Sequence, residues 1–165
     1  MRTTTKLSLA LTALVLTGTV VQAQTNNASI TATATVQTPI NVAAAQQLSF
    51  GNVFPGVNKT VAATDLTNGG RFDVTGQAST PVTLSFTLPA TLSSAGNTMP
   101  IVSFTGMHAQ NALQTGGVAF TPSAGANPTL SAGGLLFVWV GAQVQPATNQ
   151  AAGVYSGSVT MTVVY

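Results

Sequence analysis

Residues 153–165 read GVYSGSVTMTVVY, and from Ser158 to Val163 apolar and polar side chains alternate with a period of two. One face carries Val159, Met161, Val163 and Tyr165, and the intervening positions 158, 160 and 162 are Ser or Thr. Successive side chains of a β-strand point to opposite faces, so this pattern is typical of a half-buried strand. The stretch predicts a strand that lays one face on a core and leaves the other to solvent.

The same period recurs upstream. PVTLSFTLP at residues 81–89 places Val82, Leu84, Phe86 and Leu88 on one face, with prolines at both ends of the strand. ASITATATVQ at residues 28–37 alternates equally clearly. Further short apolar runs are separated by Gly, Pro, Asn and Thr, and no helical period follows the N-terminal region. The pattern predicts a single antiparallel β-sandwich or barrel over residues 24–165.

The N-terminal residues MRTTTKLSLALTALVLTGTVVQA have the layout of a secretory signal peptide over residues 1–23. Arg2 and Lys6 precede a short apolar run, which falls short of the roughly 20 residues needed to span a bilayer. Cleavage is expected after Ala23. We therefore expect an exported protein in the periplasm, on the cell surface or outside the cell, without a membrane span in the mature chain.

Charged residues are scarce after the predicted cleavage site. Lys59 and Arg71 balance Asp65 and Asp73, and the chain contains no Cys and no Glu. With no basic patch to neutralise phosphates, nucleic-acid binding is not expected. An uncharged polar surface lets copies of the chain approach one another at little electrostatic cost, which favours an assembly or matrix protein.

The sequence offers little for catalysis. His108 and two Asp could in principle join one of the many Ser residues in a triad, but no G-x-S-x-G motif is present. His108 is expected in a surface loop, and Asp73 is expected to pair weakly with Arg71. Neither zinc nor calcium ligands occur at a recognisable spacing. We expect no enzyme, no catalytic residue, no metal and no cofactor.

The run LLFVWVGA at residues 135–142 is apolar on both faces. Leu135, Phe137 and Trp139 form the face that a plain sandwich would leave to solvent. One interpretation is that a loop or a neighbouring strand covers them, since aromatic residues pair well across strands. The other is an exposed aromatic stripe that contacts a second copy or a sugar ring.

Two motifs carry a family resemblance. LSFGNVFPG contains Leu48, Phe50 and Gly51, and the closing stretch contains Gly153, Tyr155 and Gly157 before its alternating strand. Together with RFDVTG and GLLFVWVGA, they resemble a bacterial family of exported β domains, domain of unknown function 4402, from about Ile30 to Tyr165. That family is similar to the spore coat protein U domain and to subunits of chaperone–usher pili. The resemblance implies an immunoglobulin-like sandwich of about seven to nine strands.

The resemblance also implies a use for two strands. In chaperone–usher subunits the C-terminal strand is handed to a periplasmic chaperone, and a missing strand comes from the N-terminal segment of the next subunit. Residues 28–36, the alternating segment, could donate such a strand through Ile30, Ala32, Ala34 and Val36. They could instead be the domain's own first strand, because only QTNN precedes them after cleavage and the Cys pair of pilin subunits is absent. A self-closed sandwich is the alternative that this leaves open.

The expected function is that of a non-enzymatic structural or surface protein, such as a fimbria-like or matrix subunit that assembles through edge-strand pairing. Its expected partners are other copies or a periplasmic chaperone. The alternative is a carbohydrate-binding or adhesive module that uses the stripe at Leu135, Phe137 and Trp139, with a glycan as partner.

Overall fold

A computed structural model describes residues 25–165, and the predicted signal peptide over residues 1–23 lies outside the described residues. The described part contains nine β-strands and no helix, so no helix in it could cross a membrane. The strands are β1 (Asn41–Gln46), β2 (Lys59–Val61), β3 (Gly70–Thr75), β4 (Thr83–Thr87), β5 (Thr91–Ser94), β6 (Asn97–Ala109), β7 (Val118–Phe120), β8 (Leu135–Val144) and β9 (Thr160–Val164).

The strands form two antiparallel sheets. The larger sheet has the order β1-β3-β8-β6-β5, with β2 also paired to β8 and β7 to β6. The smaller sheet consists of β4 and β9. The predicted all-β antiparallel sandwich is confirmed, and the nine strands of residues 25–165 fall within the expected number.

The main core lies between the two sheets. Leu84 of β4 is 1% exposed and Met161 of β9 is 8% exposed, and both pack with inner-face residues of β3 and β8. Phe86 and Val163 are partly buried at the margin of this cluster. The inward faces predicted from the alternation of β4 and β9 are therefore correct. The fully buried members of the cluster are Val74, Val82, Leu84, Leu130, Leu136, Val138 and Met161.

Strand β8 is the centre of the larger sheet. Its first half pairs with β3 from Leu135 to Val140, and its second half pairs with β2 from Ala142 to Val144. Both partners lie along the same edge of β8, because β6 occupies the other edge. β8 has neighbouring strands on both edges, and most of its side chains are covered on both faces. This explains why its sequence is an almost continuous apolar run.

Some predicted strands differ from the structure. The alternating segment forms no strand, and the first strand of the domain is β1, at residues 41–46. The sequence QLSFGNV at residues 47–53 also predicts a short strand, but these residues form none, whereas β5 was not predicted. Alternation shows which face of a strand can be buried, but a strand also needs a neighbour to bond with, and the sequence does not supply that information.

Candidate assembly site

β1 and β9, like β2 and β7, each pair with another strand along one edge only. β9 is paired with β4 only, and β1 is paired with β3 only. Among the described residues no backbone–backbone hydrogen bond reaches the other edge of either strand. Each edge therefore presents a row of free N–H and C=O groups to which another strand can bond.

A groove of about 810 Å³ lies beside these edges, and we call it the β1–β9 groove. One wall consists of Ala44, Gln46 and residues 47–53, which continue from β1. The opposite wall consists of residues 153–159, which lead into β9. Inner-face side chains of the larger sheet, among them Phe72 and Val140, line its floor. Phe72 is partly exposed there, whereas Val140 is only 1% exposed.

Both family motifs lie in the walls of the groove. Leu48 and Phe50 are partly buried against a second core cluster that includes Met99 and Ile101, and Tyr155 packs on the same cluster from the other wall. Gly157 approaches this cluster so closely that a Cβ there would lie 2.9 Å from Leu92 Cδ2. The residues that carry the resemblance thus shape the groove.

The Tyr155 ring is fixed in its wall by hydrogen bonds. Gln150 Nε2 donates to the Tyr155 hydroxyl at 2.6 Å, and that hydroxyl donates to the carbonyl oxygen of Ala151 at 2.8 Å. Backbone bonds between Ser156 and Ser93 in both directions tie the same wall to β5. This wall is therefore held in place without any strand in the groove.

The lining of the groove carries no charged side chain. Its polar members are Ser, Asn, Gln and Tyr residues, and the floor residues Phe72 and Val140 are apolar. An uncharged strand can enter such a groove without the large desolvation cost of burying an ion. Lys59 Nζ donates to the carbonyl oxygen of Asn52 in one wall at 3.1 Å, so an acidic peptide would find one cation there, whereas a peptide rich in Lys or Arg would meet no partner for its charges.

The alternating segment has the matching composition. Residues 28–36 contain only Ala, Ile, Val, Ser and Thr, and no charge. Its side chains are exposed, with Ile30 and Val36 each 94% accessible. The predicted assembly residues Ile30, Ala32, Ala34 and Val36 therefore keep an unpaired apolar face.

The predicted assembly residues of β9 divide into two groups. Val159 is partly buried and lines the groove, whereas Met161 and Val163 face the main core. Tyr165 is 46% exposed and does not fill the end of the sandwich. Its hydroxyl group instead takes part in a hydrogen-bond network at that end of the domain.

This network, the Tyr165 latch, joins Thr38, Gln77 and Tyr165. The Tyr165 hydroxyl accepts a hydrogen bond from the Gln77 backbone N–H at 2.7 Å and donates one to the Thr38 carbonyl oxygen. The Thr38 N–H donates to Gln77 Oε1 at 3.1 Å. A Cβ on Gly76 would lie 2.8 Å from the Tyr165 hydroxyl oxygen, so only glycine leaves room for the latch there.

The aromatic stripe is covered at its centre. Trp139 has no exposed surface and packs with Ala63 and Ala109, while Phe137 is partly buried beside it. Leu135, at the end of the stripe, is 40% exposed. Of the two interpretations, the exposed stripe is thus contradicted at Trp139, and the interpretation of a covered face fits the structure.

Residues 62 and 63 provide part of this cover. They leave β2 and pass over the outer face of β8 before β3 begins, and Gln114 Nε2 donates to the Ala63 carbonyl oxygen at 2.8 Å. The crossing is possible because β8 has Gly141 at that point, where a Cβ would lie 2.5 Å from the carbonyl carbon of Ala62. A glycine within an apolar strand is a known sign of such a close backbone approach.

Arg71, Asp73 and Asp65 take part in local contacts within β3 and in the turn before it. Arg71 Nε lies 2.8 Å from Asp73 Oδ1, which forms the ion pair predicted on β3, and its guanidinium lies 5.9 Å from the centroid of the Phe137 ring. Asp65 accepts bonds from Thr67 and Asn68 in the turn before β3, and the Asn68 side-chain amide is the main cause of its lowered pKa.

His108 lies in β6 and not in the predicted loop. Its ring centroid is 5.9 Å from that of Phe120, and burial lowers the pKa of the imidazole below 6.5. Among residues 25–165 no three His, Asp or Glu side chains lie together in a way that could hold a metal ion.

The two motifs in the sequence could have indicated the residues that form the groove walls. No sequence pattern indicated the unpaired edge of β1 or the Tyr165 latch.

One comparison with known proteins identifies a family. The family described as Domain of unknown function (DUF4402) matches residues 3–165, which is nearly the whole chain. No curated protein matches the chain.

Proposed function

We propose that this chain, which belongs to the DUF4402 family, is an exported, non-enzymatic structural protein whose copies assemble through edge-strand pairing. Its place of action would be the periplasm, the cell surface or the extracellular space, after removal of residues 1–23. The family is defined without a function, so the proposal rests on the residues of the chain itself.

The observation that carries the proposal is the unpaired edge of β9 beside an open apolar groove. Natural sheets cover, shorten or charge their edges, because an open edge invites another strand. Neither β1 nor β9 carries a Lys, Arg, Asp or Glu that would repel such a strand. An added strand would gain main-chain hydrogen bonds and place alternate side chains in the groove.

Two further features support a structural role. The near absence of charge lets many copies pack closely. In addition, the two walls of the groove carry the motifs by which the chain resembles the DUF4402 family, and we take that family to be similar to spore coat protein U and to chaperone–usher subunits. A periplasmic chaperone would use the same edge of β9 before assembly. The carbohydrate-binding alternative lacks a supporting observation, because Trp139 is buried.

A pair of substitutions in the alternating segment tests the proposal. Ile30→Asp places a charge on the apolar face of the segment, whereas Thr31→Asp places the same charge on its polar face. Both positions are exposed, so neither change should affect the folding of a single copy. Thr31→Asp is therefore the matched control for Ile30→Asp.

The measurement is an SDS gel of protein recovered after export, with and without boiling, together with the native mass from light scattering. Inserted strands dissociate only when the core opens, so the assembly should resist SDS and collapse on heating. We expect a ladder for the wild type and for Thr31→Asp, and monomer for Ile30→Asp. A monomeric wild type would refute assembly, and equal ladders for both variants would refute the role of the segment.

A further inference from the structure

The turn between β2 and β3 contains the single Asn-Gly pair of the sequence, Asn68–Gly69. Asparagine before glycine is the pair most prone to spontaneous deamidation, because glycine has no side chain to hinder its own nitrogen. The glycine nitrogen attacks the side-chain carbonyl carbon of asparagine, its proton leaves with the side-chain nitrogen as ammonia, and a cyclic succinimide forms. Water then opens this ring to aspartate or isoaspartate, so the reaction needs no reactant other than water.

The side chain of Asn68 is exposed to solvent, but it is held in place by Asp65. Its Nδ2 donates to Asp65 Oδ2 at 2.9 Å, and the Asn68 backbone N–H donates to Asp65 Oδ1 at 3.0 Å. Closing the succinimide ring brings the side-chain carbonyl carbon to bonding distance of the Gly69 nitrogen. This movement changes the torsion angles of Asn68 and pulls its Nδ2 away from the Asp65 carboxylate.

The attacking nitrogen, that of Gly69, is engaged as well. Gly69 is buried, and its N–H donates to the carbonyl oxygen of Asp65 at 2.9 Å, which closes a single helix-like turn. A Cβ on Gly69 would lie 2.6 Å from the same oxygen, so the turn requires glycine at this position. The residue that makes the pair reactive is therefore also required by the turn that restrains it.

Neighbouring segments hold the backbone on both sides of the reacting atoms. Gln46 Nε2, from β1, lies 2.9 Å from the carbonyl oxygen of Thr67 and 2.8 Å from that of Gly69. The Ser49 N–H donates to the carbonyl oxygen of Asn68 at 2.9 Å. The turn is thus tied to β1 and to the residues that follow it, which limits its local opening.

From these contacts we propose that Asn68 is a site of spontaneous deamidation and that the turn anchored by Asp65 suppresses the reaction in the folded domain. Both reacting groups are bonded to Asp65, the Asn68 amide through its carboxylate and the Gly69 nitrogen through its carbonyl oxygen. Asp65 is therefore a positioning residue that keeps the two groups from meeting. This inference is independent of whether copies of the chain assemble.

The reaction would disrupt the turn that delays it. Aspartate at position 68 would place a carboxylate oxygen where Nδ2 now lies 2.9 Å from Asp65 Oδ2, so a like charge would replace a donor. Isoaspartate would lengthen the main chain between Asp65 and Gly69 by a methylene group. Residues 62 and 63, a few positions earlier, cover part of Trp139. We therefore expect deamidation to loosen the cover over this ring.

The experiment incubates the full exported chain at mildly alkaline pH, folded in buffer and unfolded in urea. Peptide mass spectrometry follows the conversion of each Asn amide to the acid over time. Asp65→Ala removes the carboxylate acceptors, and Asp65→Asn is a milder variant that keeps one side-chain oxygen for the backbone N–H groups. Phe86→Ala is the control, because it removes a partly buried side chain from the smaller sheet and leaves the turn intact. Asn68→Gln removes the reactive site, since glutamine forms its ring far more slowly.

We expect Asn68 to convert faster than every other Asn in urea, and about tenfold or more slower in the folded chain. In buffer, Asp65→Ala should convert about tenfold faster than the wild type, as the net loss of one hydrogen bond permits. Asp65→Asn should lie between them, and Phe86→Ala should keep the wild-type rate. Converted wild-type protein should show Trp139 emission shifted to the red, whereas Asn68→Gln should keep both its mass and its emission.

The opposite results would overturn the inference. Equal conversion rates in the folded and unfolded wild type would show that the turn gives no protection. An Asp65→Ala chain that is folded by its urea midpoint but converts at the wild-type rate would exclude the role of Asp65. If Phe86→Ala converts as fast as Asp65→Ala, the reaction depends on opening of the whole domain. Conversion of another Asn ahead of Asn68 in urea would refute the site itself.

Discussion

Replacing Gly141 with Ala should destabilise the domain, because a methyl group at this position collides with backbone. The new Cβ would lie 2.5 Å from the Ala62 carbonyl carbon and closer still to Ala63 N and Val61 O. These are main-chain atoms of the segment that leaves β2 and covers Trp139, so no side-chain rotation relieves the clash. Residues 61–63 would have to move away from β8.

The magnitude follows from three terms. Forcing a methylene-sized group into a packed site costs about 1–3 kcal/mol. Moving Ala63 also weakens its N–H bond to Thr105 Oγ1, 3.3 Å long, which is worth about 1 kcal/mol. The lower backbone entropy of Ala in the unfolded chain returns about 0.4–1 kcal/mol. We expect the free energy of unfolding to fall by about 1–3.5 kcal/mol.

Urea unfolding followed by tryptophan fluorescence measures this effect, and Trp139 is the single tryptophan of the chain. With m of about 1–3 kcal/mol/M for small proteins, the midpoint should fall by about 1 M, and the emission of the folded state should shift to the red as the cover over Trp139 moves. Gly133→Ala is the control, because a Cβ there meets only Ser131 Oγ at 3.7 Å. An unchanged midpoint with unchanged emission in Gly141→Ala would refute the crossing as described.

Three further predictions concern the core and His108, the single histidine of the chain. Leu84→Ala should lower the free energy of unfolding by about 2–5 kcal/mol and exceed the effect of Phe86→Ala, since Leu84 is 1% exposed and Phe86 is only partly buried; urea midpoints would rank the two. Val163→Asp should destabilise β9 by placing a carboxylate against the core, and its unfolding midpoint should recover partly at a pH that protonates it. The pKa of His108 is lowered in the folded state, so the unfolded chain takes up the proton first. The free energy of unfolding therefore decreases as the pH falls from about 6.5 toward the lower pKa of the folded state, and His108→Gln should remove that part of the pH dependence.

The sequence predicted the strands whose alternation faces a core. β4 and β9 have a clear period of two, and their inward residues Leu84 and Met161 are buried as expected. Alternation alone misled at residues 28–36, which satisfy the same pattern without any partner strand. β1, with the sequence NVAAAQ, has almost no alternation, yet it pairs with β3. Pairing depends on where the rest of the chain runs, and no local pattern reports this.

The candidate site was predictable only in part. Its strands could be proposed from composition and its walls from two motifs, but the groove between β1 and β9 arises from contacts between residues far apart in the chain. Trp139 shows the same limit, because an apolar outer face is equally compatible with an exposed stripe and with a covering loop. Gly141 was the one residue in that run that indicated the loop, and its meaning depends on the backbone that crosses it.

The pairing of β2 and β3 along one edge of β8 affects how readily the protein would be cleaved by proteases outside the cell. Proteases that cut after basic residues find only Lys59 and Arg71 within residues 25–165. Lys59 lies opposite Val144 and Arg71 opposite Trp139, each within a ladder on the most buried strand of the domain. Cleavage requires a locally unfolded stretch of chain, so neither bond can be cut until strands leave β8. A trypsin-like enzyme would therefore digest this chain no faster than the sandwich itself opens.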